Sequence, residues 1–194
     1  GPRETLKESV LDPFPYIVQG KQDWLTTISV PVVVNGKFLG VAGTDLRLNF
    51  LQDLAKKVAS SLYGGKGEVL IISHIGLIVA NSVNPDTIGK SGRDLFPDNW
   101  PAVLSTVQGG SAMVNLDHSG KLMQAFAPIE LGRTGKPWSV LVRVPASVIM
   151  ADATTLDQSL QQKTQTTISM QVLVGLAVLA LSLVLLWLFT GNIV

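Results

Sequence analysis

A run of 20 residues, Met170 to Phe189, constrains this chain more than any other feature. Its residues are apolar apart from Gln171, Gly175 and Ser182. A helix of about 20 residues rises about 30 Å, the thickness of the hydrocarbon core of a bilayer. A small globular domain cannot cover a helix that is apolar on every face, which disfavours a buried core helix. We therefore expect one transmembrane helix over 170–190.

Composition excludes several other classes of protein. The chain has 194 residues, enough for one or two domains. Charged residues make up 15% and apolar residues 46%, which excludes a disordered chain. The net charge of +1 disfavours nucleic acid as a partner. Because cysteine is absent, disulfides, cysteine-ligated zinc and thiol nucleophiles are excluded as well.

The first 48 residues have the pattern of extended structure. Trp24–Val34 is rich in β-branched residues, and Asn35-Gly36 separates it from a second β-type run. Asn-Gly between two such runs is the strongest short signal for a hairpin, because a type I′ turn needs positive φ at both central residues. Gly40 and Gly43 in the second run indicate a bulge or a close approach to the backbone.

A helix is expected after these strands, over 49–66 together with a glycine linker. Asn49 and Gln52 have the spacing of a capping box, and Gly64-Gly65-Lys66-Gly67 would end the helix. Its predicted apolar face consists of residues three or four apart, Leu51, Leu54, Val58 and Leu62.

Five short β-type runs follow, with a weakly helical stretch, Trp100–Val107, after the second. They predict one antiparallel sheet with helical cover over 67–144. The five runs are 69–73, 77–81, 111–117, 121–129 and 138–144.

A long juxtamembrane helix is predicted over 145–169, with Pro145 in its first turn. No proline or glycine interrupts the chain from Ala146 to Val174, so this helix should continue into the membrane span. A narrow apolar seam suited to a homodimer contact runs along it, formed by Ile149, Ala153, Leu156 and Leu160.

No catalytic constellation is present. The two histidines, His74 and His118, have no clustered carboxylates beside them, and no nucleophile-elbow motif accompanies them. Gly89-Lys90-Ser91 lacks the upstream glycine of a phosphate-binding loop. We expect no enzymatic activity, no metal site and no cofactor.

The best candidates for ligand binding lie in the first 48 residues. Asp12 and Tyr16 are expected in one turn, Trp24 opens the next strand, and Asp45 ends the glycine-containing strand. An inward carboxylate beside aromatic rings suits an ammonium group, through a charge-assisted hydrogen bond and a cation–π contact. From the residues alone an alternative stays open: Asp45 caps a turn and the aromatic residues belong to the core.

Four stretches together resemble the C-terminal part of a double Cache sensor domain, as found in bacterial methyl-accepting chemotaxis receptors. They are Asp12–Tyr16, 28–46, 67–81 with the downstream IGKSG, and the terminal helix with its span. The resemblance implies an α+β fold of PAS-like antiparallel sheet modules, followed by the juxtamembrane and transmembrane helices. Residues 1–48 would belong to the membrane-distal module and 67–144 would form the membrane-proximal module.

The resemblance also implies a function. The modules would face the periplasm from the bacterial inner membrane, and a homodimer would signal to cytoplasmic proteins through segments outside this sequence. Asp45 would bind the ammonium group of an amino acid, with Tyr16 in contact. Asp12 and Asp23 would suit a second ammonium group, so amines and polyamines are included. The alternatives are the sensor of a histidine kinase or diguanylate cyclase, and a membrane-anchored binding domain without signalling.

Overall fold

The computed structural model describes residues 1–151, of which Gly1–Val148 form one compact unit. This unit contains two antiparallel sheets and helices, which confirms the predicted α+β class for this part of the chain. Within residues 1–151 no helix is long and apolar enough to cross a membrane. The predicted span at 170–190 and most of the juxtamembrane helix at 145–169 lie outside the described residues, and both stay predictions.

The first sheet is built around one long strand, β3, which has neighbours on both edges. β4 pairs along one edge, while β1 and β2 follow each other along the opposite edge. The elements are α1 (Pro2–Thr5), β1 (Ser9–Val10), β2 (Phe14–Val18), β3 (Lys21–Val34) and β4 (Lys37–Arg47).

Two tight turns join the strands of this sheet. The predicted turn at Asn35-Gly36 is confirmed, since both residues have positive φ, 50° and 76°. A second turn of the same kind, Gln19-Gly20, joins β2 to β3 with φ of 50° and 80°. Sequence inspection missed it because Gln is an unusual first residue for a turn that favours Asn, Asp or Gly.

Both effects expected of the glycines in β4 are present. The register with β3 shifts so that Val32 pairs with Gly40 but Val33 pairs with Phe38, which leaves an extra residue in β4. At Gly43 an added Cβ would lie 3.1 Å from the main-chain oxygen of Ile28. The hairpin therefore bends beside Gly40 and packs closely at Gly43.

Helix α2 spans Leu48–Ser61, and the predicted capping box at its start is wrong. Asn49 lies inside the first turn, and the residue at the cap position is Arg47, whose side chain makes no capping hydrogen bond. Gln52 is instead buried, because its amide is used in a contact with the second sheet. The predicted end of the helix at the glycines is also wrong: α2 ends at Ser61, Leu62 is extended, and positive φ begins at Tyr63, ahead of Gly64 and Gly65.

The predicted apolar face of α2 is also wrong in part. Leu54 and Val58 are 45% and 38% exposed, whereas Ala55 and Ala59 are buried. The buried apolar face of α2 is formed by Leu48, Ala55 and Ala59, with Leu51 packed against the same core, and the two alanines permit close packing of the helix. Periodicity did not separate these faces because apolar residues occur on both.

The second sheet has the five strands predicted, in the order β6-β5-β9-β8-β7, and every neighbouring pair is antiparallel. Pro145 ends β9 opposite Leu122 rather than opening a helix, and residues 146–151 are helical. The elements are β5 (Glu68–Ile72), β6 (Ile78–Asn81), α3 (Trp100–Gln108), β7 (Met113–Leu116), β8 (Leu122–Ile129) and β9 (Trp138–Pro145).

The core lies on both faces of this second sheet. On one face, Val69 and Ile71 pack with α2 and with Val10 of the first sheet. On the other face, Leu70 and Ile72 pack with α3. The first sheet therefore uses one of its faces for the core, and its other face points away from the second sheet.

Candidate functional site

Two of the four predicted ligand contacts share one face of the first sheet. Tyr16 lies opposite Asp23 on β3, and Asp45 lies opposite Thr27. Directly opposite residues project to the same side, and so do residues two or four apart along a strand. One surface of the sheet, which we call the outward face, is thus lined by Tyr16, Asp23, Thr27 and Asp45. Its two pairs, at Asp23 and at Thr27, are about 13 Å apart along β3.

The outward face is the one that points away from the second sheet. On the opposite side, Thr26, Ile28 and Leu46 line a small apolar cavity together with Ile71 and Trp138 of the second sheet. The outward face consequently leaves Tyr16 58% exposed, and Asp45 is exposed as well. An exposed carboxylate and an exposed phenol ring on one surface are available to a ligand.

Asp45 sits inside β4, where its carboxylate meets one hydroxyl group. Thr27 Oγ1 donates to Asp45 Oδ1 over 2.6 Å. None of the ion pairs found within residues 1–151 involves Asp45. Its negative charge is therefore not balanced by a cation of the described chain, and a ligand cation could approach it.

Trp24 lies on the opposite side of β3 from Asp45. Its indole ring packs against the core and fills the space beside Gly89, where an added Cβ would overlap the ring. The structure therefore does not bring Trp24 together with Asp45 and Tyr16. Its role as a ligand contact stays a prediction.

The segment from Leu11 to Tyr16 does not form the predicted turn. It is an interrupted edge strand, in which the Leu11 N–H donates to the carbonyl of Thr27 over 2.9 Å and β2 resumes at Phe14. Asp12 lies in the interruption. Its Oδ1 is buried and has no hydrogen-bond partner among the described residues. A buried acceptor without a partner is uncommon in folded proteins, and a donor from a ligand would satisfy it.

Sequence inspection missed the partner of Asp23. Arg47 donates to Asp23 Oδ2 from Nε over 2.6 Å and from Nη2 over 2.5 Å, and the Trp24 N–H donates to Oδ1 over 2.9 Å. Asp23 is only 8% exposed, whereas Arg47 is 60% exposed. The charge of Asp23 is already balanced, so it is a poor partner for the second ammonium group. No local signal links two residues that are 24 positions apart.

This ion pair forms part of the wall of an open cleft of about 730 Å³. The cleft lies beside the start of α2, and Trp24 and Gln52 also line it. Its charged side chains are of both signs, Lys21, Asp23, Arg47, Asp53, Lys56 and Asp86. In the part of the chain that the structure describes, no group of three or more His, Asp or Glu side chains could hold a metal ion.

Two proteins of known family are similar to this chain in sequence. The methyl-accepting chemotaxis protein TlpQ of Pseudomonas aeruginosa is 32% identical over 188 residues, which cover 96% of this chain and 26% of that protein. The methyl-accepting chemotaxis protein PscA of Pseudomonas syringae is 31% identical over 96 residues, or 48% of this chain and 14% of that protein. The chain thus spans about a quarter or less of the length of these relatives. No protein-family model matches it.

Solved sensor domains have the same fold. The periplasmic sensory domain of the Campylobacter jejuni chemoreceptor Tlp1 superposes with a TM-score of 0.60 at 16% identity, over 74% of this chain and 51% of that one. The extracellular domain of the putative histidine kinase mmHK1S-Z3 superposes with a TM-score of 0.62 at 22% identity, over 80% of this chain and 55% of that one. The ligand-binding domain of the Pseudomonas aeruginosa chemoreceptor PctC, solved with GABA, superposes with a TM-score of 0.54 at 22% identity, over 71% of this chain and 56% of that one.

The two sheets have the fold of these solved sensor domains. The resemblance predicted from the motifs, to the double Cache sensor domain of a methyl-accepting chemotaxis receptor, is confirmed.

Proposed function

We propose that this chain is the ligand-sensing part of a bacterial chemoreceptor, and that it binds a small ligand bearing an ammonium group on the outward face of the first sheet. The observation that carries the proposal is the arrangement of Asp45 and Tyr16. Both are exposed on one face, and no cation of the described chain pairs with Asp45.

The carboxylate of Asp45 suits an ammonium ion, since a charge-assisted hydrogen bond to a carboxylate contributes about 1.5–3 kcal/mol. Tyr16 lies about 13 Å away along the direction of β3, so its ring would contact a different part of the same ligand. Amino acids are the first ligands to consider, because PctC was solved with GABA and the Pseudomonas fluorescens chemoreceptor CtaA with L-isoleucine. Amines and polyamines are included, since the unpaired oxygen of Asp12 could receive a second ammonium group.

Calorimetry on the complete protein, with a panel of amino acids, amines and polyamines, tests this proposal. We expect Asp45→Asn to weaken binding by about 10- to 150-fold, the loss of one charge-assisted hydrogen bond. Asp98→Asn is the matched control, since Asp98 is an exposed carboxylate outside the cleft and the first sheet. Equal affinities for the Asp45→Asn variant and the unchanged protein would remove Asp45 from the site.

Under the same proposal the protein is a homodimer anchored in the inner membrane, and its sensor part lies in the periplasm. Residues 1–48 would belong to the membrane-distal module, 49–66 would connect the modules, and 67–144 would form the membrane-proximal module. The helix over 145–169 and the span over 170–190 would pass the signal to cytoplasmic partners, and no chemical reaction would be catalysed.

A chemotaxis output is favoured over a kinase or cyclase output by the two sequence relatives, both methyl-accepting chemotaxis proteins. The fold alone does not separate these outputs, because a putative histidine kinase has it too. The test is the methylation of the full-length protein in cells before and after ligand addition. A ligand-dependent change supports chemotaxis; autophosphorylation without methylation favours a kinase, and a bound ligand with no response favours an anchored binding domain.

A further inference from the structure

We propose that Thr27 positions the carboxylate of Asp45, and that this makes the site favour an ammonium ligand over a guanidinium ligand. The inference rests on the proposed function, because it concerns the same site. It assigns a role to a residue that no sequence motif indicated.

The geometry at Thr27 holds its hydroxyl group in place. Thr27 and Asp45 are directly opposite each other on β3 and β4, and the Oγ1 to Oδ1 distance is 2.6 Å. A β-branched side chain has few χ1 rotamers in a strand, so little entropy is lost in keeping this hydrogen bond. On the other edge of β3, the Leu11 N–H donates to the carbonyl of Thr27. The residue is therefore fixed from both edges of the strand.

This fixed hydroxyl orients the carboxylate before a ligand arrives. A free aspartate side chain would have to be ordered on binding, which costs affinity, whereas one already held by Thr27 does not. The nearby guanidinium group of Arg47 does not compete with a ligand for the carboxylate of Asp45. Arg47 lies two residues beyond Asp45 on β4, and Asp23 holds it through Nε and Nη2.

The hydrogen bond also leaves the two carboxylate oxygens unequal. Oδ1 faces Thr27, and Oδ2 remains for a ligand. A guanidinium group binds a carboxylate best through two parallel N–H···O bonds that use both oxygens. An ammonium group is a compact charge that needs only one oxygen. Asp45 in this orientation therefore suits an ammonium ligand.

Two matched ligand pairs test the inference on the complete protein: GABA with 4-guanidinobutyrate, and putrescine with agmatine. Within each pair only one ammonium group is exchanged for guanidinium. We expect the unchanged protein to bind the ammonium member more tightly in at least one pair. Thr27→Val should weaken that member by about 2- to 12-fold, the contribution of one hydrogen bond, and should reduce the ratio of the two affinities.

Two further variants separate positioning from a general loss of structure. Thr27→Ser keeps the hydroxyl, so it should retain both the affinity and the ratio. Thr44→Val removes an exposed hydroxyl of β4 that lies opposite Ile28 on the other face, so it should change neither. Thermal unfolding of all variants identifies any that fail to fold.

The outcomes distinguish this inference from the proposed function. If Asp45→Asn weakens binding but Thr27→Val leaves affinity and ratio unchanged, Thr27 has no positioning role while the ammonium site stands. Equal weakening of both members of a pair by Thr27→Val would overturn the selectivity. If neither pair binds the unchanged protein, or if Asp45→Asn has no effect, the ammonium site fails and the inference fails with it.

Discussion

The side-chain amide of Gln52 hydrogen-bonds both main-chain groups of Asn81. Gln52 Nε2 donates to the Asn81 carbonyl over 2.7 Å, and the Asn81 N–H donates to Gln52 Oε1 over 2.8 Å. Asn81 ends β6, the edge strand of the second sheet, so these groups face away from β5. The amide of Gln52 thus takes the place of a neighbouring strand and joins α2 to the sheet.

Replacing Gln52 should therefore destabilise the fold. Gln52→Leu keeps the approximate size of the side chain but leaves two buried main-chain groups unpaired, at a cost of about 1–3 kcal/mol for each. Urea unfolding followed by circular dichroism measures the change in the free energy of unfolding. Asn49→Leu, at an exposed position of the same helix, is the control. Equal stability of the two variants would show that the contact with Asn81 contributes nothing.

Gly89 should tolerate no side chain, for two reasons that can be measured separately. Its φ is +78°, and the ring of Trp24 occupies the space of a Cβ. Gly89→Ala should cost about 1 kcal/mol for backbone strain and a further 1–3 kcal/mol for overpacking. Gly135→Ala is the matched control, because Gly135 has a φ of +66° but open space around it. Trp24 fluorescence should shift only in the Gly89 variant; equal destabilisation would contradict the packing of Trp24 on Gly89.

The Asp23–Arg47 pair should respond asymmetrically to substitution. Arg47→Met leaves the carboxylate of Asp23, which is 8% exposed, without its cation. This should lower the free energy of unfolding by about 3 kcal/mol. Asp23→Asn leaves Arg47 free to turn into solvent, because its side chain is 60% exposed, and should cost about 1 kcal/mol. Chemical unfolding of both variants measures the difference. A larger loss from Asp23→Asn would contradict the view that burial of Asp23 sets the cost.

Glu8 should give the fold a pH-dependent contact. The main-chain N–H of Arg133, at 2.6 Å, and then its guanidinium group, at 2.7 and 3.0 Å, lower the pKa of the Glu8 carboxyl below its ordinary 4.5. Because the charged form is favoured in the folded state, the stabilisation is present above the ordinary pKa and is lost as the pH falls through the lowered one. The unchanged protein should therefore melt at a higher temperature than Glu8→Gln at neutral pH, and this difference should shrink as the pH falls below 4.5 and disappear below the lowered pKa. A difference that is independent of pH would exclude an ionic contribution from Glu8.

Local patterns in the sequence determined β3, β4, the Asn35-Gly36 turn and the five strands of the second sheet. These features depend on the alternation of side chains and on the φ preferences of neighbouring residues, which a short window contains. Short motifs also carry the resemblance to chemoreceptor sensors, and they made Asp45 and Tyr16 candidate ligand contacts. That these two residues share one face follows only from the register of β2 and β4 against β3.

Only the tertiary structure decided which faces are buried and which charges are paired. Ala55 rather than Leu54 faces the core because α2 packs closely on the second sheet. Contacts such as Asp23–Arg47 and Glu8–Arg133 join residues 24 and 125 positions apart. Such pairs depend on how the sheets and loops come together, and no periodicity or spacing along the chain encodes that.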